Sequence, residues 1–262
     1  MKAALLQMDI ALGDVAANHA KAEAMMAEAV WRGAELIVLP ELWTTGYCLE
    51  TIAPLAEREA DSPTLRLFQR FAQRHKVQII GGSIPEFDQG NIYNTAYTIT
   101  SAGEVAAKYR KIHLVRLMEE EKYLTPGDQP CLFSLKPNDT QAATMICYDL
   151  RFTELARSLA LKGCQILFIP AEWPAVRGLH WRSLLIARAI ENQMYVVAVN
   201  RIGKDASNQF YGHSLVVNPW GEVIAEGTED QEEILLADID LAVVAEVRGK
   251  ISVFADRRPE CY

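Results

Sequence analysis

The sequence predicts an α/β protein, and three observations carry that reading. Apolar runs of strand length alternate with segments of helical spacing along all 262 residues. Runs such as Leu36–Leu39 and Ile166–Ile169 are apolar at consecutive positions, as in strands buried on both faces. Half of the chain is hydrophobic, 50% by count, and no Ser/Gly/Pro-rich stretch or long like-charge run interrupts it. One domain spanning residues 1–262 is therefore expected.

The elements follow in order. Lys2–Met8 reads as a strand, Ala16–Arg32 as an Ala/Glu/Met-rich helix and Glu35–Leu39 as a buried strand, which makes a β-α-β opening. Ser62–His75 has helical spacing and leads into strand candidates at Val77–Ser83, Ile92–Thr100 and Val105–Arg110. The second half repeats the alternation, with strands at Ala142–Ile146, Gln165–Ile169 and Tyr195–Asn200 and helices at Thr153–Lys162 and Trp181–Asn192. Late strands are expected at His213–Val217, Glu222–Ala225 and Ile234–Ile239, with Pro219–Gly221 turning between the first two. Residues from Val247 to Tyr262 read as an extended tail. Helices should cover the sheets on two sides.

Charge and composition exclude several functions. The formal net charge of −8 opposes binding to a phosphate backbone, so no nucleic-acid partner is expected. The apolar runs are far shorter than the roughly 20 residues that span a bilayer, and Met1–Ile10 lacks a long apolar signal region, so a cytoplasmic protein without membrane contact is expected. The five cysteines, Cys48, Cys131, Cys147, Cys164 and Cys261, form no CxxC pair, which makes disulfides and a zinc site improbable.

Cys147 stands apart among them. It ends the apolar run Ala143–Cys147 and precedes Tyr148-Asp149-Leu150-Arg151-Phe152, which should open the helix near Thr153. A thiol at such a strand-to-helix turn projects from the sheet edge, with main-chain N–H groups aimed where negative charge develops. The plain alternative is a small buried hydrophobe, the usual fate of a free cysteine.

An ordinary thiol is only a few per cent thiolate at neutral pH and needs a base or a cation beside it. Glu41 is a candidate base because it follows the strand end Leu36–Pro40, the alternative being a solvated loop acid. Lys111 lies in the basic segment Lys108–Leu114, either turned inward as a fixed charge or part of a solvated charge run. A Cys/His pairing with His113, His180 or His213 is the rival arrangement. Ala34–Trp43 also echoes Cys164–Trp173, each an apolar strand followed by Pro, an acid and Trp, so two strands are candidates to end at one site.

Taken together, Pro40-Glu41-Leu42-Trp43, Tyr109–Leu114 and Ile146–Phe152 resemble the three signature segments of the nitrilase, or carbon–nitrogen hydrolase, superfamily in order and spacing. Glu120 ahead of Leu124-Thr125-Pro126-Gly127, Arg188–Gln193, Gly212–Ser214 and Asn218–Gly221 extend the resemblance over almost the whole chain. It implies a four-layer αββα sandwich, a homodimer paired through helices, and no cofactor. It also implies a Glu41, Lys111 and Cys147 triad, with Glu120 as a second glutamate and the Tyr148 N–H joining Lys111 at the oxyanion.

Glu41–Tyr47, Ala171–Pro174 and His180-Trp181 are most similar to the omega-amidase branch, including bacterial enzymes associated with methionine salvage. That branch acts on short ω-amides carrying a free carboxylate, such as 2-oxoglutaramate and succinamate, so a carboxylate clamp is implied. Arg177 is the first candidate and Arg188 reads as mainly structural, while Tyr47 and Trp173 are candidates to wall the pocket. A nitrilase, an N-carbamoyl amino acid hydrolase, and a silent scaffold that keeps the fold are the alternatives.

Overall fold

The computed structural model describes residues 1–136, 138–205 and 207–261. Two sheets lie face to face. The first contains Lys2–Gln7 (β1), Leu36–Val38 (β2), Gln78–Ile80 (β3), Ile84–Asp88 (β4), Asn91–Ile99 (β5), Val105–Arg110 (β6) and, from the far end of the chain, Glu233–Asp238 (β13). Its order is β13-β1-β2-β3-β5-β4. β5 is bordered by β6 on one edge and by β3 and then β4 on the other. The second sheet contains Leu132–Leu135 (β7), Thr140–Thr144 (β8), Ile166–Ala171 (β9), Tyr195–Asn200 (β10), Leu215–Val217 (β11) and Val223–Glu226 (β12), paired in reverse sequence order.

Consecutive apolar residues are explained by what lies on each side of a strand. Ala3, Leu5, Leu36 and Val38 point to the second sheet, where Ile166, Phe168, Val197 and Val199 meet them. Their neighbours Ala4, Leu6 and Ile37 point outward under the helices Val15–Trp31 (α1) and Pro63–His75 (α2). On the other flank, Leu167, Ile169, Val196 and Ala198 pack beneath Thr153–Leu161 (α3) and Gly178–Asn192 (α4). The layers therefore run α, β, β, α, as the resemblance implies, and every central strand loses both faces to apolar neighbours at about 25 cal/mol per Å² removed from water.

Two helix starts are capped by side chains. Asp14 accepts from the Ala17 N–H at 3.0 Å to start α1, and Ser62, followed by Pro63, accepts from the Leu65 N–H at 2.9 Å to start α2.

Three expectations are corrected. The run Val77–Ser83 is strand only over β3, because Gly81 and Gly82 break it, and β4 follows as the partner of β5. α4 begins at Gly178 rather than near Trp181. The extended tail expected from Val247 is helical at its start, in Ala242–Lys250 (α5), where Arg248 donates to the main-chain oxygens of Gln193 and Cys164 and ties the helix down. Tyr262 lies outside the described residues. No described helix is long and apolar enough to cross a membrane.

Candidate active site

Each sheet delivers groups to one cleft at its strand ends. Glu41 leaves β2 in a tight turn in which Leu42 has φ +40°. Ser83 holds that turn by accepting the Leu42 N–H on its Oγ at 2.9 Å and donating its own N–H to Pro40 at 3.1 Å. Gly82 is required beside it, because a Cβ there would meet the Pro40 oxygen at 2.0 Å. Lys111 follows β6, its N–H bonded to Asn94 and its oxygen to the Gly127 N–H. A side chain on Gly127 would meet the Arg110 oxygen at 2.3 Å.

From the second sheet, Cys147 comes three residues after the end of β8 and heads a five-residue 3-10 turn, Cys147–Arg151. The sequence suggested that these residues open α3; they form a turn of their own, and α3 starts only after Phe152. Cys147 sits at φ +46°, in the left-handed region that a side chain adopts only when its surroundings impose it. Those surroundings are visible. Asp149, fully buried, accepts from the Ile146 N–H at 3.0 Å, the Tyr109 hydroxyl at 2.6 Å, and the His113 N–H and Nδ1 at 2.9 and 2.7 Å. Arg188 donates twice to the Leu150 oxygen. Tyr148 is the second residue of the turn, where a main-chain N–H lies beyond reach of the turn's own carbonyls.

The Lys111 ammonium is fully buried and uses all three of its donors. It contacts Glu120 Oε1 at 2.7 Å, Glu41 Oε1 at 2.9 Å and the Tyr47 hydroxyl at 3.2 Å. Burial alone would drive off its proton, but Glu120 and Glu41 outweigh burial and hold its pKa well above the ordinary lysine value. Glu41 also accepts from Asn94 Nδ2 at 2.8 Å, and through Oε2 from the Glu172 N–H at 2.9 Å. Glu120 Oε2 takes the Val115 N–H at 2.7 Å. Burial first and the Glu41 charge second push the pKa of the Cys147 thiol well up, with Lys111 opposing them. At rest it is a thiol, not a thiolate.

The cleft in front of the thiol holds about 360 Å³ and is walled by Tyr148, Arg151, Glu172, Trp173 and Arg177. It adjoins an outer cavity of about 570 Å³ that shares Leu117, Met118 and Arg177 and reaches Tyr47 and Tyr123. Tyr47 was expected as a wall; its ring does face the outer cavity, but burial and Glu120 push the pKa of its hydroxyl well up while it bonds Glu120 and Glu41. Trp173 anchors its indole N–H on the Arg177 oxygen at 2.9 Å. None of the three candidate histidines bonds to the thiol: His113 is committed to Asp149, His180 lies against Arg151 at 3.3 Å, and His213 faces Glu226 at 3.3 Å.

Sequence reasoning missed Asn94, whose amide can be connected to Glu41 only through the fold. It also assigned nothing to Arg151, which lies 4.7 Å from the Trp173 ring with no described carboxylate paired to it. Among the described residues no group of three or more His, Cys, Asp or Glu side chains could hold a metal ion.

A double sandwich that brings a thiol, an ammonium and carboxylates from opposite sheets into one cleft is the architecture of a hydrolase that works through a cysteine. The match to the family model described as carbon-nitrogen hydrolase runs over residues 2–249, and the chain belongs to that family. It is 44% identical over 257 residues to the 2-oxoglutaramate amidase of Bacillus subtilis (strain 168), covering 98% of this chain and 97% of that one. It is 40% identical to the omega-amidase NIT2 of Homo sapiens, covering 94% and 91%. The crystal structure of Saccharomyces cerevisiae Nit3, a member of branch 10 of the nitrilase superfamily, matches with a TM-score of 0.91 at 31% identity, over 98% of this chain and 96% of that one.

Proposed function

We propose that the protein hydrolyses the terminal amide of a short dicarboxylic acid monoamide, of the 2-oxoglutaramate or succinamate type, to the dicarboxylate and ammonia. The observation that carries the substrate class is a pair of cations without counter-ions: Arg177 and Arg151 both line the cleft before Cys147, and neither has an ion-pair partner among the described residues. A guanidinium left facing a cleft is suited to a carboxylate, which it can grip through two parallel N–H bonds. Similarity to the 2-oxoglutaramate amidase and the omega-amidase supports the same class.

In this reading Cys147 attacks the amide carbon as Glu41 takes the thiol proton, which answers the need created by a thiol that stays protonated. Charge on the former carbonyl oxygen is met by Lys111 and the Tyr148 N–H. Glu41 returns the proton to the departing ammonia, and water then cleaves the Cys147 thioester. Glu120 and Tyr47 keep Lys111 charged and aimed. Trp173 and Arg177 close the far wall. We further place the enzyme in the cytoplasm as a homodimer of single-domain chains, in keeping with the family resemblance, without a cofactor.

The test is ammonia release from 2-oxoglutaramate, succinamate, glutamine, an aliphatic nitrile and an N-carbamoyl amino acid, with Cys147→Ala beside the wild type. Release from the first two alone, absent in the variant, supports the reading. Release only from the nitrile or the carbamoyl compound would replace it.

A further inference from the structure

One group in the cleft is unused by this mechanism. Glu172 follows β9, and its side chain is fully buried yet lines the same cleft as Cys147. Its Oε2 is held at 3.0 Å by Arg201 Nη1. Arg201 is itself fixed by Asp9 at 3.0 Å, by the Ile10 oxygen at 2.9 Å and by the Ile202 oxygen at 3.0 Å, so the carboxyl cannot turn away. The other oxygen, Oε1, is buried without any hydrogen-bond partner. A desolvated acceptor left unmade is costly, and in a ligand cleft it marks where a donor belongs.

The chemistry of the site says which donor. The amide carbonyl oxygen is drawn to Lys111 and the Tyr148 N–H, so the nitrogen points away from them and toward Glu41, which must protonate it. Glu172 stands beside Glu41, its own N–H bonded to Glu41 Oε2 at 2.9 Å. The only groups that every primary amide brings to that position are its two N–H bonds. Resting on the amidase reading above, we propose that Glu172 Oε1 accepts a hydrogen bond from the nitrogen of the scissile carboxamide and so makes the site selective for primary amides over esters and nitriles, which have no N–H to offer. Burial raises the Glu172 carboxyl to about 8, against the pull of Arg201. Without a ligand the carboxyl therefore keeps its proton at neutral pH, and an N–H arriving at Oε1 favours the ionised, accepting form, so the comparison below is made above pH 8.

Glu172→Gln is the informative variant. Its amide oxygen can keep the bond to Arg201, which turns the NH2 into the cleft and sets a donor against a donor. With wild type and variant, kcat/KM is measured for succinamate and for monomethyl succinate, whose scissile carbons are the same. The ratio of amide to ester turnover should fall by roughly 10- to 100-fold, the worth of one hydrogen bond to a charged group. An equal fall on both substrates in a variant of unchanged melting temperature overturns the proposal and leaves Glu172 as an anchor for Arg201. An unchanged ratio overturns it as well. Calorimetric binding of the same two compounds to Cys147→Ala, with and without Glu172→Gln, separates this contact from the proposed function. Amide-selective binding that depends on Glu172 supports the contact even if the wild type releases no ammonia from succinamate, and binding indifferent to Glu172 sinks it.

Discussion

The side chain of Glu41 accepts the main-chain N–H of Glu172 at 2.9 Å, across 131 positions of sequence and from one sheet to the other. The acid that ends β2 is thereby aimed by the acid that ends β9. The repeated pattern of strand, proline, acid and tryptophan noticed in the sequence is the trace of this meeting.

Cys147→Ala should fold normally and lose turnover by about 10⁴-fold or more, the scale seen when a covalent nucleophile is removed. Ammonia release and a melting curve check it; retention of more than trace activity would remove Cys147 from its role.

Glu41→Gln should separate thiol reactivity from turnover. The Glu41 charge is, after burial, the main influence raising the Cys147 pKa. Removing it lowers that pKa, so more thiolate is present at any given pH. Alkylation of Cys147 by iodoacetamide, followed from pH 6 to 10 by mass spectrometry, should therefore begin at lower pH than in the wild type, while amide turnover falls because the proton carrier is gone. Alkylation that begins at higher pH would contradict the reading.

Lys111→Met should reduce kcat by roughly 10²- to 10³-fold with little change in KM, since it removes stabilisation of charge formed in the transition state. It also strands two buried carboxylates, Glu41 and Glu120, at a cost of about 3 to 5 kcal/mol, so the melting temperature should drop. A change confined to KM would argue for a binding role.

Arg177→Leu and Arg151→Leu should each raise KM for succinamate by roughly 10- to 100-fold and leave butyramide, which has no carboxylate, nearly unaffected. Equal effects on both amides would mean that the guanidiniums shape the cleft without binding the charge.

Asp149→Asn tests the support of the cysteine turn. One carboxylate serves four donors there, and an amide presents only one acceptor, so stability should fall by on the order of 3 kcal/mol in denaturant titrations. No loss would mean that the turn holds its left-handed cysteine by other means.

Much of this was legible in the sequence because strand ends punctuated by proline or by charge are local signals. Glu41 after Pro40, Lys111 in its basic segment and Cys147 after an apolar run could each be named from neighbours alone, although each also had an ordinary reading. What could not be read was pairing across the fold. Asn94 lies mid-strand among residues of plain β character, and Arg151 and Glu172 acquire meaning only from what stands opposite them. The short β4 and β7 escaped notice for a related reason: each is an edge strand defined by one partner, with Pro85 and polar residues blurring its alternation.

The division of the cleft between sheets has a consequence for how the protein is assembled. Glu41, Asn94 and Lys111 ride on one sheet and Cys147 and Glu172 on the other, joined through the apolar layer of Leu5, Val38, Phe168 and Val197. Neither half of the chain contains a working constellation, so catalysis is an emergent property of docking. A slip of one sheet against the other by a single residue would leave both halves well formed and the chemistry gone. Turnover thus reports the register of the sandwich more sharply than secondary-structure content does.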